Sequence, residues 1–330
     1  MECMRVKISV VVPTYDRPLL LKKCLEGLIK QNFPKEEFEV IIVTDGHDEV
    51  TCKMIDKVRC ENDAKNIFCF SLPEKKGPAA ARNKGWRASK GELILFTDDD
   101  CIPAEKWVSF FWKMYTQQQR KIAAFTGGII VPHNGKRPTD HERNTIALEK
   151  ADFVTANCAV TKEALEKVNG FDEAFKMAWR EDSDLEFKLL NAGIVIPHVE
   201  EAAVFHPVRK TKWGVSLRDQ KKSMFNALLY KKYPELYKKR INRRPVWLYY
   251  GIILLACISA TAAFLKSFSI AVGALLGWIL LVTYFTAKRL SGASLSLSHI
   301  TEMIVTSMLI PFLSVYWTLY GSYKYKVLFL

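Results

Sequence analysis

The eight cysteines form no CxxC pair and show no His/Cys spacing of the kind that binds zinc. They are scattered through positions 3, 24, 52, 60, 69, 101, 158 and 257, so a disulfide framework is not expected and reduced, cytosolic thiols are the reading. No internal repeat or low-complexity tract interrupts the chain. The N-terminal MECMRVKISVVVPTY lacks a long apolar core and a small-residue cleavage site, so no signal peptide is expected. Acidic residues are scarce in one stretch. Residues 207–245 hold thirteen Lys or Arg against Asp219 and Glu235, a net charge of +11, while the whole 330-residue chain carries +13. The basicity is therefore local and calls for a local partner. Charge of either sign nearly vanishes after Val246. The length allows two domains, or one large domain with an appendage.

What is present in the first 110 residues alternates. Ile8–Val12 is a short β-branched run ended by Pro13, as buried parallel strands are. Residues 18–31 carry apolar side chains at helical spacing behind Pro18, which suits a first helical turn. Further strands are expected over 39–43, 67–72 and 93–97, with helices over 48–60 and 77–89. This order predicts an α/β fold with a mainly parallel, doubly wound sheet. In such sheets ligands bind beyond the carboxyl ends of the strands. Four polar clusters fall at those ends: Pro13-Thr14-Tyr15, Thr44-Asp45-Gly46, the Gly77 turn, and Asp98-Asp99-Asp100.

The aspartate triplet is the densest negative charge in the chain, and it directly follows an apolar run. Three adjacent carboxylates repel one another near a core, so a positive partner is expected. Mg²⁺ takes oxygen ligands, often carboxylates together with substrate phosphates. Mn²⁺ tolerates a similar site and also accepts imidazole. The plain alternative is a solvated acidic turn ahead of a helix starting near Pro103. A second acidic knot, WREDSDLEFKLLNAG over 179–193, puts Glu181 and Asp182 before a helix with Leu185, Leu189 and Leu190 on one side. Either the dipole of that helix simply favours carboxylates there, or one of them is a general base. His206, after the apolar run AAVF, is an ordinary surface or core histidine unless it approaches the triplet, where neutral imidazole completes a coordination set.

PTYDR (13–17), VTDG (43–46), GPAAARNKGW (77–86), FTDDDCIP (96–103), NGFDE (169–173) and WREDSDLEFKL (179–189) together resemble inverting family 2 glycosyltransferases of the GT-A fold, in the family's order across about residues 6–206. The resemblance implies a nucleotide-sugar donor, a UDP-sugar by expectation, and a divalent metal, Mg²⁺ or Mn²⁺. It implies that Thr14, Tyr15 and Asp45 hold the nucleoside, with Asp45 reading a uracil-like base, and that Arg82 and Asn83 lie near the donor. Asp98 and Asp100 match the DxD pair, although the triplet leaves open which two aspartates act. Asp98 and Asp99 are assigned here to the donor, Asp100 and His206 to the metal. Asp182 matches the catalytic base. Two departures stand out. Thr44-Asp45-Gly46 replaces the Asp-Asp-Gly of many relatives, and no Gln-x-x-Arg-Trp motif follows the base, which points to transfer of single sugars.

Beyond this region, 246–265 and 268–287 are uncharged stretches of twenty residues each, long enough to span a bilayer and separated by Lys266-Ser267, so a hairpin is expected. Trp247, Tyr249 and Tyr250 suit an interface. The positive-inside rule puts the basic cluster and Lys288-Arg289 in the cytoplasm. The segment 303–321 contains Pro311 and is expected as a third membrane-embedded helix, spanning or interfacial. Residues 216–232 read as an amphipathic helix on an anionic lipid surface; no nucleic-acid partner is expected. The organisation expected is thus a glycosyltransferase domain over 1–206, a basic juxtamembrane segment over 207–245 and membrane helices over 246–330. The acceptor expected is a lipid-linked or envelope glycan at the cytosolic leaflet, or a polyprenyl phosphate. The competing classes are a non-catalytic membrane receptor or scaffold on the same fold and a nucleotidyltransferase.

Overall fold

A computed structural model describes residues 5–118, 121–133 and 135–329. Its contacts divide the chain into two compact units, one holding the residues up to Pro132 with Ala147–Val208, the other His133–Ile146 with the residues from Arg209 onward.

The first unit is built on an eight-stranded sheet: β1 (Ile8–Thr14), β2 (Phe38–Thr44), β3 (Ile67–Ser71), β4 (Leu93–Thr97), β5 (Ile102–Pro103), β6 (Ala124–Ile130), β7 (Asn157–Thr161) and β8 (His198–Phe205). The spatial order is β3-β2-β1-β4-β7-β6-β8-β5. The first four strands run parallel. They are joined by α1 (Pro18–Ile29), α2 (Glu49–Glu61) and α3 (Pro78–Ala88), all close to the expected bounds. Strand β7 then enters antiparallel between β4 and β6, while β6 pairs parallel with β8. The sheet is therefore mixed in its second half, where the sequence suggests strands only at residues 155–158 and in the apolar run AAVF before His206. Strands β1, β2, β4 and β7 are buried along their whole length, which explains their mostly apolar and β-branched composition. Later helices are α4 (Trp107–Gln118), α5 (Asp140–Ile146, in the second unit), α6 (Lys162–Val168) and α7 (Glu181–Asn191). Residues from α3, β4, β7 and α7, among them Ala81, Phe96, Cys158 and Leu185, close one core cluster. That core fixes α3 and α7 beside the end of β4.

The second unit is helical: α8 (Val215–Asp219), α9 (Met224–Lys232), α10 (Pro234–Arg240), α11 (Trp247–Phe264), α12 (Phe268–Leu290) and α13 (Leu297–Tyr325). The amphipathic helix expected over 216–232 is divided, with a 3₁₀ turn over Gln220–Ser223 between α8 and α9. Helices α11 and α12 form the expected hairpin. Lys266, at a left-handed φ of 58°, reverses the chain, and Gly251 and Gly277 let Leu281 and Leu255 approach closely. Helix α13 runs unbroken through Pro311. These three helices are long and apolar enough to cross a membrane, and much of their apolar surface, from Leu254 to Leu280, is exposed.

Candidate active site

Strand β4 delivers the aspartates. Asp98 follows its last residue, and the Arg82 guanidinium, on α3, meets it with Nη2 2.7 Å from Oδ1. The same guanidinium reaches Glu181 at the start of α7, with Nη1 3.3 Å from Oε1. Arg82 is 2% exposed. Burial works against its charge, but the carboxylates of Asp98 and Glu181 outweigh that cost and raise its pKa. One buried cation thus bridges the end of β4 and the start of α7. The positive partner demanded by the triplet is, in part, this arginine.

Asp99 turns towards β1. Thr14 Oγ1 donates to its Oδ2 at 2.8 Å, and Arg17 Nη1 donates to its Oδ1 at 3.2 Å. Burial raises Asp99 to about 6 against the pull of Arg17, and Asp100 adds to the rise. Asp100 faces the end of β8, with Oδ1 3.8 Å from His206 Nε2. Its carboxylate, the Cys101 thiol and the His206 ring each offer a ligand atom, all within 4.8 Å of one another and all buried. His206 Nδ1 is buried without a hydrogen-bond partner among the described residues. Of this set, the carboxylate and the imidazole fit a cation such as Mn²⁺, while a thiol is a softer ligand that coordinates as the thiolate. Cys101 was not anticipated as part of it. Its only signal was its position directly after the triplet, and burial, with the nearby aspartates, pushes its thiol pKa well up.

Asp182 lies beside Glu181 in the first turn of α7. The helix is entered through Arg180, whose φ of 73° is left-handed and costly for a residue with a side chain. Arg180 also stacks on the half-exposed Trp179, 4.7 Å from the ring centre. Asp182 Oδ1 accepts from Ser183 N at 2.6 Å. Burial raises the Asp182 pKa, with the Ser183 amide and Arg180 acting the other way. Burial, then the charge of Asp182, push Glu181 up to about 7 despite Arg82. Glu181 Oε2 is buried with no partner among the described residues.

Two of the anticipated donor contacts are committed to the protein's own loops. Asp45, after β2, accepts from Lys76 N at 2.7 Å and from Gly77 N at 3.0 Å and 2.9 Å. It therefore shapes the turn that starts α3. Asn83 donates to Phe171 O and Glu173 Oε1 and accepts from Phe171 N and Trp86 Nε1. That uses both ends of its amide to clamp the Gly170-Phe171 loop. Tyr15 is half exposed, and Lys75 Nζ sits 3.4 Å from its ring centre. The structure thus gathers Thr14, Arg82, Asp98, Asp99, Asp100, Glu181 and His206 through direct contacts. Asp182 adjoins them by sequence, and Asp45 and Asn83 frame them.

The profile described as Glycosyl transferase family 2 matches residues 9–179, just over half of the chain. The chain belongs to glycosyl transferase family 2. A second profile, Glycosyl transferase family group 2, matches residues 143–320 and so runs on through the apolar helices. Among curated family 2 relatives, the glycosyltransferase AglE of Haloferax volcanii is 32% identical over 162 residues, 49% of each chain. A GalNAc(5)-diNAcBac-PP-undecaprenol beta-1,3-glucosyltransferase of Campylobacter jejuni is 31% identical over 94 residues, covering 28% of this chain and 29% of that one. These matches span about half or less of the relatives' length. A solved mannosyltransferase of Pyrobaculum calidifontis, in complex with GDP-Man and Mn²⁺, superposes with a TM-score of 0.62 at 20% identity, covering 96% of this chain and 88% of that one. That likeness shows the GT-A fold.

Proposed function

We propose that this family 2 member is a membrane-bound, inverting glycosyltransferase. It moves a single sugar from a nucleotide-sugar, a UDP-sugar by preference, to a lipid-linked or envelope-glycan acceptor at the cytosolic leaflet. The observation that carries the reading is the Arg82 bridge, which joins the Asp98 carboxylate to the Glu181-Asp182 segment. Such a bridge links a donor-side charge to a candidate base, an arrangement that a merely solvated acidic turn does not need. The Campylobacter relative's name describes an undecaprenol-linked acceptor, and the apolar hairpin supplies a reason for an acceptor of that class here.

Each residue then has a task. Asp182 takes the proton of the acceptor hydroxyl as the oxygen attacks C1 of the sugar. The nucleoside diphosphate leaves from the opposite face, so one displacement inverts the anomeric centre. Arg82 pairs with Asp98 and keeps Glu181 in register beside the base. Thr14 and Arg17 orient Asp99 towards the donor. Asp100 and His206 would hold Mg²⁺ or Mn²⁺. When bound there the ion supplies charge stabilisation for the departing diphosphate.

The test uses the full chain in lipid nanodiscs, a panel of labelled UDP- and GDP-sugars, and polyprenyl-linked acceptors, with and without chelator. Transfer with inversion, read by the anomeric coupling of the product and lost on chelation, is the expected result. A panel that gives neither transfer nor donor binding overturns the assignment in favour of a binding protein on this fold.

A further inference from the structure

The 29 residues of α13 extend about 43 Å at 1.5 Å per residue, more than the roughly 30 Å of a hydrocarbon core. Length alone is therefore compatible with crossing the membrane. What α13 touches along its length is not.

At its start, His299 Nε2 accepts from Asp140 N at 3.3 Å, and Glu302 Oε1 accepts from Gly214 N at 2.7 Å. One turn later, Thr306 and Ser307 hydroxyls receive the Arg289 guanidinium at 2.7 Å and 3.0 Å. The same guanidinium pairs with Asp140 at 2.8 Å. Near its far end, Trp317 lies under Lys221 Nζ, 5.6 Å from the ring centre. Gly321 packs so tightly on the Met224 backbone that a Cβ there would lie 2.5 Å from the carbonyl oxygen. Finally, Tyr325 O accepts from Lys231 Nζ at 2.8 Å. Every partner in this series comes from the basic stretch before α11, from α5, or from the basic end of α12.

The middle of the helix agrees. Ile310 clusters with Ile252, Val282 and Phe285. Ile252 lies five residues, about 8 Å, into α11, and Phe285 and Val282 lie about 8 and 12 Å before the end of α12. Those are the hairpin's basic-end positions. A spanning α13 would set its midpoint level with the hairpin's middle and its last turns beside Phe264 and Phe268. The face of α13 turned away from these contacts is apolar and exposed: Ile304, Met308, Phe312, Leu319 and Tyr323.

We propose that α13 does not cross the membrane but lies in the plane of the cytosolic leaflet, its exposed apolar stripe against the acyl boundary and its other face covered by α8 and α9. This rests on the membrane reading given above, in which α11 and α12 span. Helices of this kind gain from burying apolar area at the boundary between headgroups and acyl chains. The lysines around it add attraction to an anionic surface.

The test maps topology in otherwise native full-length protein by an impermeant maleimide and peptide-resolved mass spectrometry. Lys324→Cys should react in inside-out vesicles only, like native Cys60, and Lys266→Cys in right-side-out vesicles only. Reaction of Lys324→Cys from the outer face overturns the proposal. Reaction of Lys266→Cys from the cytosolic face overturns the spanning hairpin as well. A second readout places nitroxides at Ile304, Met308, Phe312 and Leu319. A uniform shallow depth is expected, and a depth maximum at Phe312 overturns the proposal. Neither readout uses turnover, so a failed transferase assay leaves this result standing.

Discussion

Asp182 and Arg82 can be separated by what each loses on substitution. Asp182→Asn keeps the size of the side chain and removes the proposed base, so turnover should fall by roughly 10²–10⁴-fold, with little change in donor KM, as measured by steady-state kinetics. Arg82→Met strips a buried cation from two carboxylates, and leaving such charges uncompensated costs about 3–5 kcal/mol. The Arg82→Met/Glu181→Gln double variant should recover part of that loss, giving non-additive melting temperatures. Glu181 also sets a pH dependence. It titrates at about 7 in the folded chain, against roughly 4.3 when unfolded. The folded state therefore holds the extra proton between those values, and stability falls as pH rises through that window. A melting series from pH 5 to pH 8 should show wild type losing ground to Glu181→Gln. Asp98, Asp100, Asp182 and His206 stood out through the acidic runs and the family resemblance together. The partners of Asp45 and Asn83 could not, because backbone amides 31 or 88 residues away leave no mark on a side-chain pattern.

Among elements, the four parallel strands were legible because three of them are fully buried and all four carry an apolar run with polar punctuation. Strand β6 was not read, and β7 and β8 only in part, through residues 155–158 and the apolar run AAVF before His206. Gly127 and Gly128 interrupt β6, and β8 alternates buried and exposed positions, so neither gives a continuous signal. The turn into α3 was read correctly as a glycine start, but its stringency shows only in three dimensions. Gly77 has φ 102°, and a Cβ there would lie 2.5 Å from the Lys176 carbonyl oxygen. Gly77→Ala should therefore destabilise the protein by on the order of 1–3 kcal/mol. It should also weaken donor binding, since the same turn is the one that Asp45 grips; thermal shift and a donor titration read the two effects. Helix α13 was ambiguous for a different reason. Composition reports that a segment prefers lipid, whereas its tilt is decided by polar contacts made at particular turns, such as those of Arg289.

For the molecule as a whole, the boundary between the glycosyltransferase fold and the apolar helices was expected as a single point near residue 206. The contacts instead assign His133–Ile146, between β6 and β7, to the helical unit. There Asp140 pairs with Arg289, and Arg143 Nη1 donates to the carbonyls of Arg289 and Ser291. No composition shift announces this excursion. It means that one cut after Val208 does not separate the two units. A version ending at Val208 keeps a polar strap whose docking ground has been removed. Such a version should aggregate, whereas one that also joins Pro132 to Ala147 through a short Gly/Ser bridge should elute as a monodisperse species in size-exclusion chromatography. The chain leaves its sheet unit at two places along the sequence, over His133–Ile146 and after Val208, and anyone seeking crystals of that unit alone must unpick both seams.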